Sequence, residues 1–400
     1  MRKILSIALF ALACVACDNF ETVNPFRDNL KDMSLTLLFP EGFESFERPG
    51  VTVKIEEINL SNRYTLTTGA GSSIKAKLPA GLYRIAAQDI NGDDIFNGSL
   101  DRVLLNGNVD LTLPLSHSVA GRIVVKEIYC GGCMKYPEQG TYQSDQYVIL
   151  HNNYTKVQYL DSLCFGSLAP YNSNSNNPYG STLPDFLPII QAVWQFPGSG
   201  STFPLQPGED AVICLRGAIN HKEQYPLSVN LDKEDYFVCY NPTYFANPTY
   251  HPVPGSNIQE SRWLDVVIKT GQANAYTFSI NSPALAIFKA PAGKSMAEYL
   301  AEEGAVEQLP GSSKDRVSKI KPEWVMDAVE VFNGSESSNK KRILSTLDAG
   351  YVTLSGTFLG HSLFRKVDEA QTQLRGYEVL VDTNNSSADF YEREKQSLNE

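Results

Sequence analysis

From about residue 34 onward the chain is a succession of short apolar runs broken by turn residues. Residues 34–39, 51–56, 64–67, 73–78, 82–87, 103–105 and 109–113 alternate apolar with polar positions or are rich in β-branched side chains. Gly, Pro, Asn and Asp fall between them. This spacing predicts about seven strands over roughly 80 residues, which is the pattern of a β-sandwich. A second series starts near Ser118, with strand-like runs at 123–129, 145–153, 157–163, 203–208, 210–215 and 284–288. Helical spacing is confined to 295–303 and a short stretch at 185–194. The pattern therefore predicts an all-β chain of two β-sandwich domains, 33–117 and 118–392. The second is swollen by long loops and short helix insertions. Residues 393–400 read as a charged tail free to fray.

The first residues break this pattern. Residues 4–13 are continuously apolar behind the basic Arg2 and Lys3. The run falls short of the ~20 residues that span a bilayer but fits the apolar region of a secretory signal. Residues 11–18 resemble a bacterial lipobox, in which small residues precede a cysteine that is lipidated. Cys17 is followed by Asp18, Asn19 and Glu21 and is the expected site, with Cys14 as the alternative. The resemblance implies a signal peptide at 1–16, a tether at 17–32 and anchoring to outer-membrane lipid through acyl chains. The acidic residues just after the cysteine resemble the surface-export signals of Bacteroidetes lipoproteins, which implies an outward-facing protein.

Composition narrows the partners. Of 400 residues, 34 are Lys or Arg and 45 are Asp or Glu, giving a formal charge of −11. Loss of Arg2 and Lys3 with the signal takes this to about −13. Nucleic acid is not an expected partner, because phosphate binding needs clustered basic residues. Gly and Pro counts of 28 and 22 are ordinary and exclude a collagen-like chain.

Two sandwich families are suggested by particular residues. Leu78, Pro79, Gly81 and Tyr83, preceded by the run at 51–55 and by Gly69 and Gly71, resemble the transthyretin-like, carboxypeptidase-regulatory-like sandwich. In that fold Pro and Gly shape the turn and the Tyr packs on the facing sheet. Glu127, Asp145, Asn152, Asp161, Arg365, Asp382, Asp389 and Phe390 stand in an order that resembles the lamin-tail, immunoglobulin-like domain. Most are corner residues, and Glu127 is expected to pair with Arg365. Both modules behind a lipobox resemble a family of Bacteroidetes lipoproteins of unknown function. The resemblance implies a non-catalytic surface module and, as a natural partner class, an outer-membrane transporter. Lamin-tail domains also accompany secreted nucleases, but the acidic charge argues against DNA contact.

Candidate chemistry is sparse. Cys130 and Cys133, two glycines apart, suit a redox pair or half a zinc site. The expected role is plainer, a loop disulfide or two incidental thiols. Cys164 and Cys214 sit in apolar runs and are expected in the core. Residues 89–94 offer alternating oxygens but lack the Gly and Glu of a calcium loop, so a polar hairpin is expected. No two of the five histidines stand four apart, and His361 lacks the second Gly of a nucleophile elbow. Asp161, Ser162 and Leu163 resemble a Bacteroidetes O-glycosylation site, placed by the pattern in a core strand. No catalytic residue, metal or cofactor is expected.

The long loops offer aromatics beside amides. Tyr171, Tyr179, Tyr240, Tyr244, Phe245 and Tyr250 are candidates to stack on a glycan or anchor a partner protein. The competing expectation is that they lie down and staple the loops. The expected function is a non-catalytic binding or accessory module. The alternative is a cell-surface enzyme with its site in 165–282, marked by His221 or His251 facing acidic residues in a deep pocket.

Overall fold

A computed structural model describes residues 30–43, 49–91, 94–119, 121–180 and 182–399. The signal peptide, Cys14, Cys17 and most of the tether lie outside the described residues. The first module holds eight strands: β1 (Leu30–Leu38), β2 (Thr52–Glu57), β3 (Arg63–Thr67), β4 (Ser73–Pro79), β5 (Gly81–Asn91), β6 (Asp94–Leu105), β7 (Val109–Pro114) and β8 (Ser116–Val119). They form sheets of order β4-β1-β7 and β3-β2-β5-β6-β8. The strand alternation works as the sequence suggests. Leu35 and Leu37 of β1 face Val53, Ile55, Ile85 and Phe96 across one apolar core. Two boundaries shift. Residues 30–32 belong to β1 rather than to the tether, and β8 carries the first module past residue 117.

The Leu-Pro-x-Gly-x-Tyr stretch does what the turn chemistry implies. Pro79 ends β4, Gly81 opens β5, and Tyr83 is 1% exposed with its hydroxyl donating to the Pro79 carbonyl at 2.8 Å. A Cβ on Gly81 would lie 3.1 Å from the Glu57 side chain and 3.2 Å from the Tyr83 ring, a tight approach that a larger residue could meet only by moving those side chains.

The larger module is built on two main sheets, with two further two-stranded ribbons. One runs in the order Phe237–Val238, Asp210–Cys214, Tyr147–Asn152, Ile123–Tyr129, Ser362–Arg365 and Phe390–Arg393. The other includes Arg316–Ile320, Leu187–Gln195, Cys164–Leu168, Ala284–Phe288 and Val325–Asn333. Val125, Ile128, Val148 and Leu150 of the first pack on Phe165, Trp194, Leu285, Ile287 and Val329 of the second. Residues 185–194, expected as a short helix, are mostly strand, because Leu187–Gln195 is flanked by three partners and buried almost throughout. The best helical stretch does form a helix, Met296–Leu300, opened by a capping box between Ser295 and Glu298.

Two arginines are buried in ion pairs, and one of them joins the sheets. Arg365 is 1% exposed and meets Asp327, Asp382 and Asp389, with Nε donating to the Val125 carbonyl at 2.7 Å. The expected Glu127–Arg365 pair does not form. Glu127 instead accepts from Tyr147 at 3.2 Å and from the backbone of Ser397 at 3.0 Å. That contact also corrects the tail. Residues 393–399 are docked, with Gln396 1% exposed and Leu398 packed on a core cluster. Arg342 and Glu330, both fully buried, pair at 2.6 Å, and Arg342 also donates to the Ser282 and Val331 carbonyls.

Candidate functional site

The outward face of the five-stranded sheet is not left to solvent. Register places Glu56 beside Arg84, Lys54 beside Ala86 and Gln88 beside Asn97. The larger module lies over this polar face. Gln88 donates to the Thr383 carbonyl at 3.1 Å, and Asn97 to the Asn384 carbonyl at 3.2 Å. Arg84 donates to the Asn339 carbonyl and sits 4.9 Å over the Phe332 ring. Phe332 is itself stacked on Tyr351 at 4.1 Å. Glu56 gathers Arg63 at 3.1 Å and the Tyr351 hydroxyl. Burial and the adjacent Glu56 raise the Tyr351 phenol above its ordinary range, so it stays a donor.

Beside these contacts the modules leave a cleft of about 410 Å³. Its floor comes from the first module, through Lys54, Tyr64, Arg84 and Asp101. Its roof comes from the second, through Lys341, Tyr351, Asn385, Ser387, Tyr391 and Glu392. Tyr391 is 44% exposed there. Asp101 is held by Arg84 Nε at 2.8 Å, and Glu392 accepts from Ser355 Oγ at 2.7 Å and His361 at 2.8 Å. Burial, then the nearby Lys366, lowers the Lys54 ammonium. A second recess of about 300 Å³ shares Glu56, Arg63, Arg84, Tyr351 and Thr353 with the first. The volume is in the range of small-ligand sites, which favour domain junctions. Planar guanidinium, carboxylate and amide groups beside tyrosine faces suit a neutral polyhydroxylated ligand. Sequence reasoning missed these residues. Their one signal was the run of charged positions on the outer face of β2, β3 and β5, which the pattern reads as solvated.

The loop aromatics divide. Tyr240 and Phe245 are corrected from contact candidates to core residues. Tyr240 is edge-on to Trp263 at 4.8 Å, and Phe245 is 2% exposed and stacked on Trp194. Tyr179 is half-buried against Phe186 and donates weakly to Glu307 at 3.4 Å. Tyr171 and Tyr244 are exposed, and Tyr250 lies over the Arg216 guanidinium at 4.3 Å. None of the six lines the cleft between the modules.

Cys130 and Cys133 are unbridged, so of the two expected alternatives they are separate thiols rather than a loop disulfide. Their side chains serve different neighbourhoods. Cys130 is part of the main core, whereas Cys133 contacts Asp145 at 3.7 Å. Burial pushes both thiols up to about 12, which leaves them protonated. Cys164 and Cys214 are buried, as expected. In the region read as a polar hairpin, β5 and β6 form that hairpin, and Asp94 bonds His117 at 2.6 Å. Gly92 and Asp93 lie outside the described residues. Asp161 accepts from the backbones of Gly200, Thr202 and Phe203 at 2.8–2.9 Å. Ser162 is not in a core strand: it is exposed on a turn at φ 63°.

The histidines are occupied. His221 bonds the Tyr142 hydroxyl at 2.6 Å and the Gly217 carbonyl at 2.7 Å, and His251 accepts from the Tyr276 backbone at 2.9 Å. Both are buried, and burial lowers both, His251 to about 4. His151, Asp210 and Glu378 have donor atoms within 4.8 Å of one another, the spacing of a metal site. Lys126 already reaches both carboxylates, at 2.6 and 2.5 Å, and supplies the positive charge.

Known proteins bear on this architecture as follows. No curated protein matches the chain. Residues 206–397 match the family described as "Protein of unknown function (DUF4876)". Among solved structures, the chain is similar to a DUF4876 family protein from Bacteroides thetaiotaomicron, with 24% identity over 90% of this chain and 94% of that one and a TM-score of 0.57. The chain is thus similar to that uncharacterised family in the second half of its sequence, and to one of its proteins in fold.

Proposed function

We propose that this is a lipid-anchored outer-membrane protein, exposed at the cell surface, that binds a glycan without catalysis. The cleft between the two sandwiches carries this reading, because both modules contribute polar forks and aromatic faces to one ligand-sized space. The lipobox-like residues support the anchor through Cys17. The acidic residues after it support the outward face. An outer-membrane transporter is the natural class of protein partner, and the transthyretin-like and lamin-tail-like modules act as the scaffold.

Two measurements test this. On a glycan array the purified protein is expected to bind a neutral oligosaccharide, and Tyr391→Ala is expected to weaken that binding about tenfold by removing an exposed stacking face. Binding that ignores Tyr391→Ala and Asp101→Asn alike would sink the cleft. In cells, Cys17→Ala is expected to abolish metabolic labelling with a fatty-acid analogue. Loss with Cys14→Ala instead would move the anchor.

A further inference from the structure

Arg216 is a buried cation without a counter-ion. It is 5% exposed, and no carboxylate of the described residues lies within ion-pair distance. Its one hydrogen bond to the protein goes from Nη1 to the Gln143 carbonyl at 3.0 Å, and its Nε has no partner. The contrast with Arg342 and Arg365, each bonded to buried acids, is internal to this molecule. Burying a guanidinium costs several kcal/mol unless opposite charge and hydrogen bonds offset it.

The surroundings are built rather than incidental. The Tyr250 ring stacks on the guanidinium. Tyr250 is fixed by an Asx turn at Asn247, whose carbonyl also accepts from His251 N at 2.9 Å. His251 is in turn tied to Tyr276. Tyr171 reaches the same region, within electrostatic range of Arg216 and Tyr250. Asp145 acts on the arginine electrostatically but forms no ion pair with it. It serves Ser228 and Tyr129, and burial holds it above the ordinary carboxylate range.

We propose that Arg216, flanked by Tyr171 and Tyr250, is a binding site for a single carboxylate group on a small ligand. The buried, unpartnered Nε–H together with the neighbouring Nη offers the side-on fork that matches two carboxylate oxygens. The two tyrosines suit a flat or ring-shaped body attached to it. The carboxylate could come from an acidic sugar or from a peptide terminus. None of these residues lines the cleft, so the site stands apart from the one described above.

Thermal unfolding of the full chain tests this with glucuronate and N-acetylglycine as probes. Methyl glucoside and N-acetylglycinamide are the neutral controls, and sulfate is the anion control at equal ionic strength. A saturable rise in Tm with either carboxylate, absent from both neutral controls, is expected. Response to glucuronate alone assigns the sugar, and response to N-acetylglycine alone assigns the peptide. Arg216→Met is expected to lose the shift. Arg216→Lys keeps the charge but not the fork, and is expected to weaken binding about tenfold, which keeps the test valid if Arg216→Met does not fold. Tyr391→Ala is expected to leave the shift intact. No saturable shift with either probe, an equal shift with sulfate, or unchanged affinity in Arg216→Lys overturns the assignment.

Discussion

Arg365→Leu is expected to destabilise the larger sandwich by about 3–5 kcal/mol at neutral pH. The guanidinium touches Asp382 at 3.0 Å and Asp389 at 3.5 Å, pairs with Asp327, and stacks over Phe390 at 4.6 Å. Its Nε bond to Val125 and its Asp327 pair connect strands from opposite sheets. Burial works against its charge, but three carboxylates outweigh that and bind its proton more tightly than water does. Removing one member of a buried ion cluster costs about 3–5 kcal/mol, because the remaining charges stay buried. That is a large share of the 5–15 kcal/mol that holds a typical domain together. Urea unfolding followed by tryptophan fluorescence reads this module alone, since Trp194, Trp263 and Trp324 all lie in it. A midpoint within error of the natural protein would refute the role given to Arg365. The double variant Arg365→Leu with Asp389→Asn is expected to recover part of the loss.

How much of this was legible depends on what kind of pattern carried it. The sandwiches follow from local alternation, so β2, β3, β4 and β7 and the strands Ala284–Phe288 and Ser362–Arg365 match the apolar runs closely, whereas β6 runs from Asp94 to Leu105 where only 103–105 was expected. The corner at 382–390 and Arg365 were grouped correctly by type and order. Their partner was not, because pairing depends on sheet order. Asp327 does carry a signal. It and Glu330 interrupt an otherwise apolar strand, Val325–Asn333, where a charge survives only if an arginine meets it. The cleft was not legible at all. Lys54, Glu56 and Arg84 read as a solvated sheet face, and nothing local says that a second module, 250 residues onward, covers it. The loop tyrosines failed for the opposite reason. Composition alone does not tell an aromatic that staples a loop, such as Phe245 on Trp194, from one left exposed, such as Tyr244.

The acids around Arg365 also predict how stability depends on pH. Burial is the largest influence on Asp327 and Asp389. With the neighbouring Asp382 it outweighs the pull of Arg365 and takes both up to about 7. One cation facing three carboxylates explains why the arginine gains from the cluster while the acids do not. An unfolded aspartate titrates near 3.8. Between about pH 4 and 7 the folded state therefore holds protons that the unfolded state has released, so this cluster loses stability as pH rises through that window. Each such proton is worth about 1.4 kcal/mol per pH unit. His221 and His251, lowered by burial, act in the opposite direction below about 6.5. The cluster is therefore best read as a difference against Asp389→Asn. The asparagine can keep the geometry: its oxygen accepts from the Thr383 and Asn385 backbones, and its amide donates to the Thr383 hydroxyl. Between pH 5 and pH 8 the stability of the variant relative to the natural protein, read from urea unfolding, is expected to rise by about 2–3 kcal/mol. Parallel stability curves across that range would mean that Asp389 is ionised throughout and that Arg365 alone balances its neighbours.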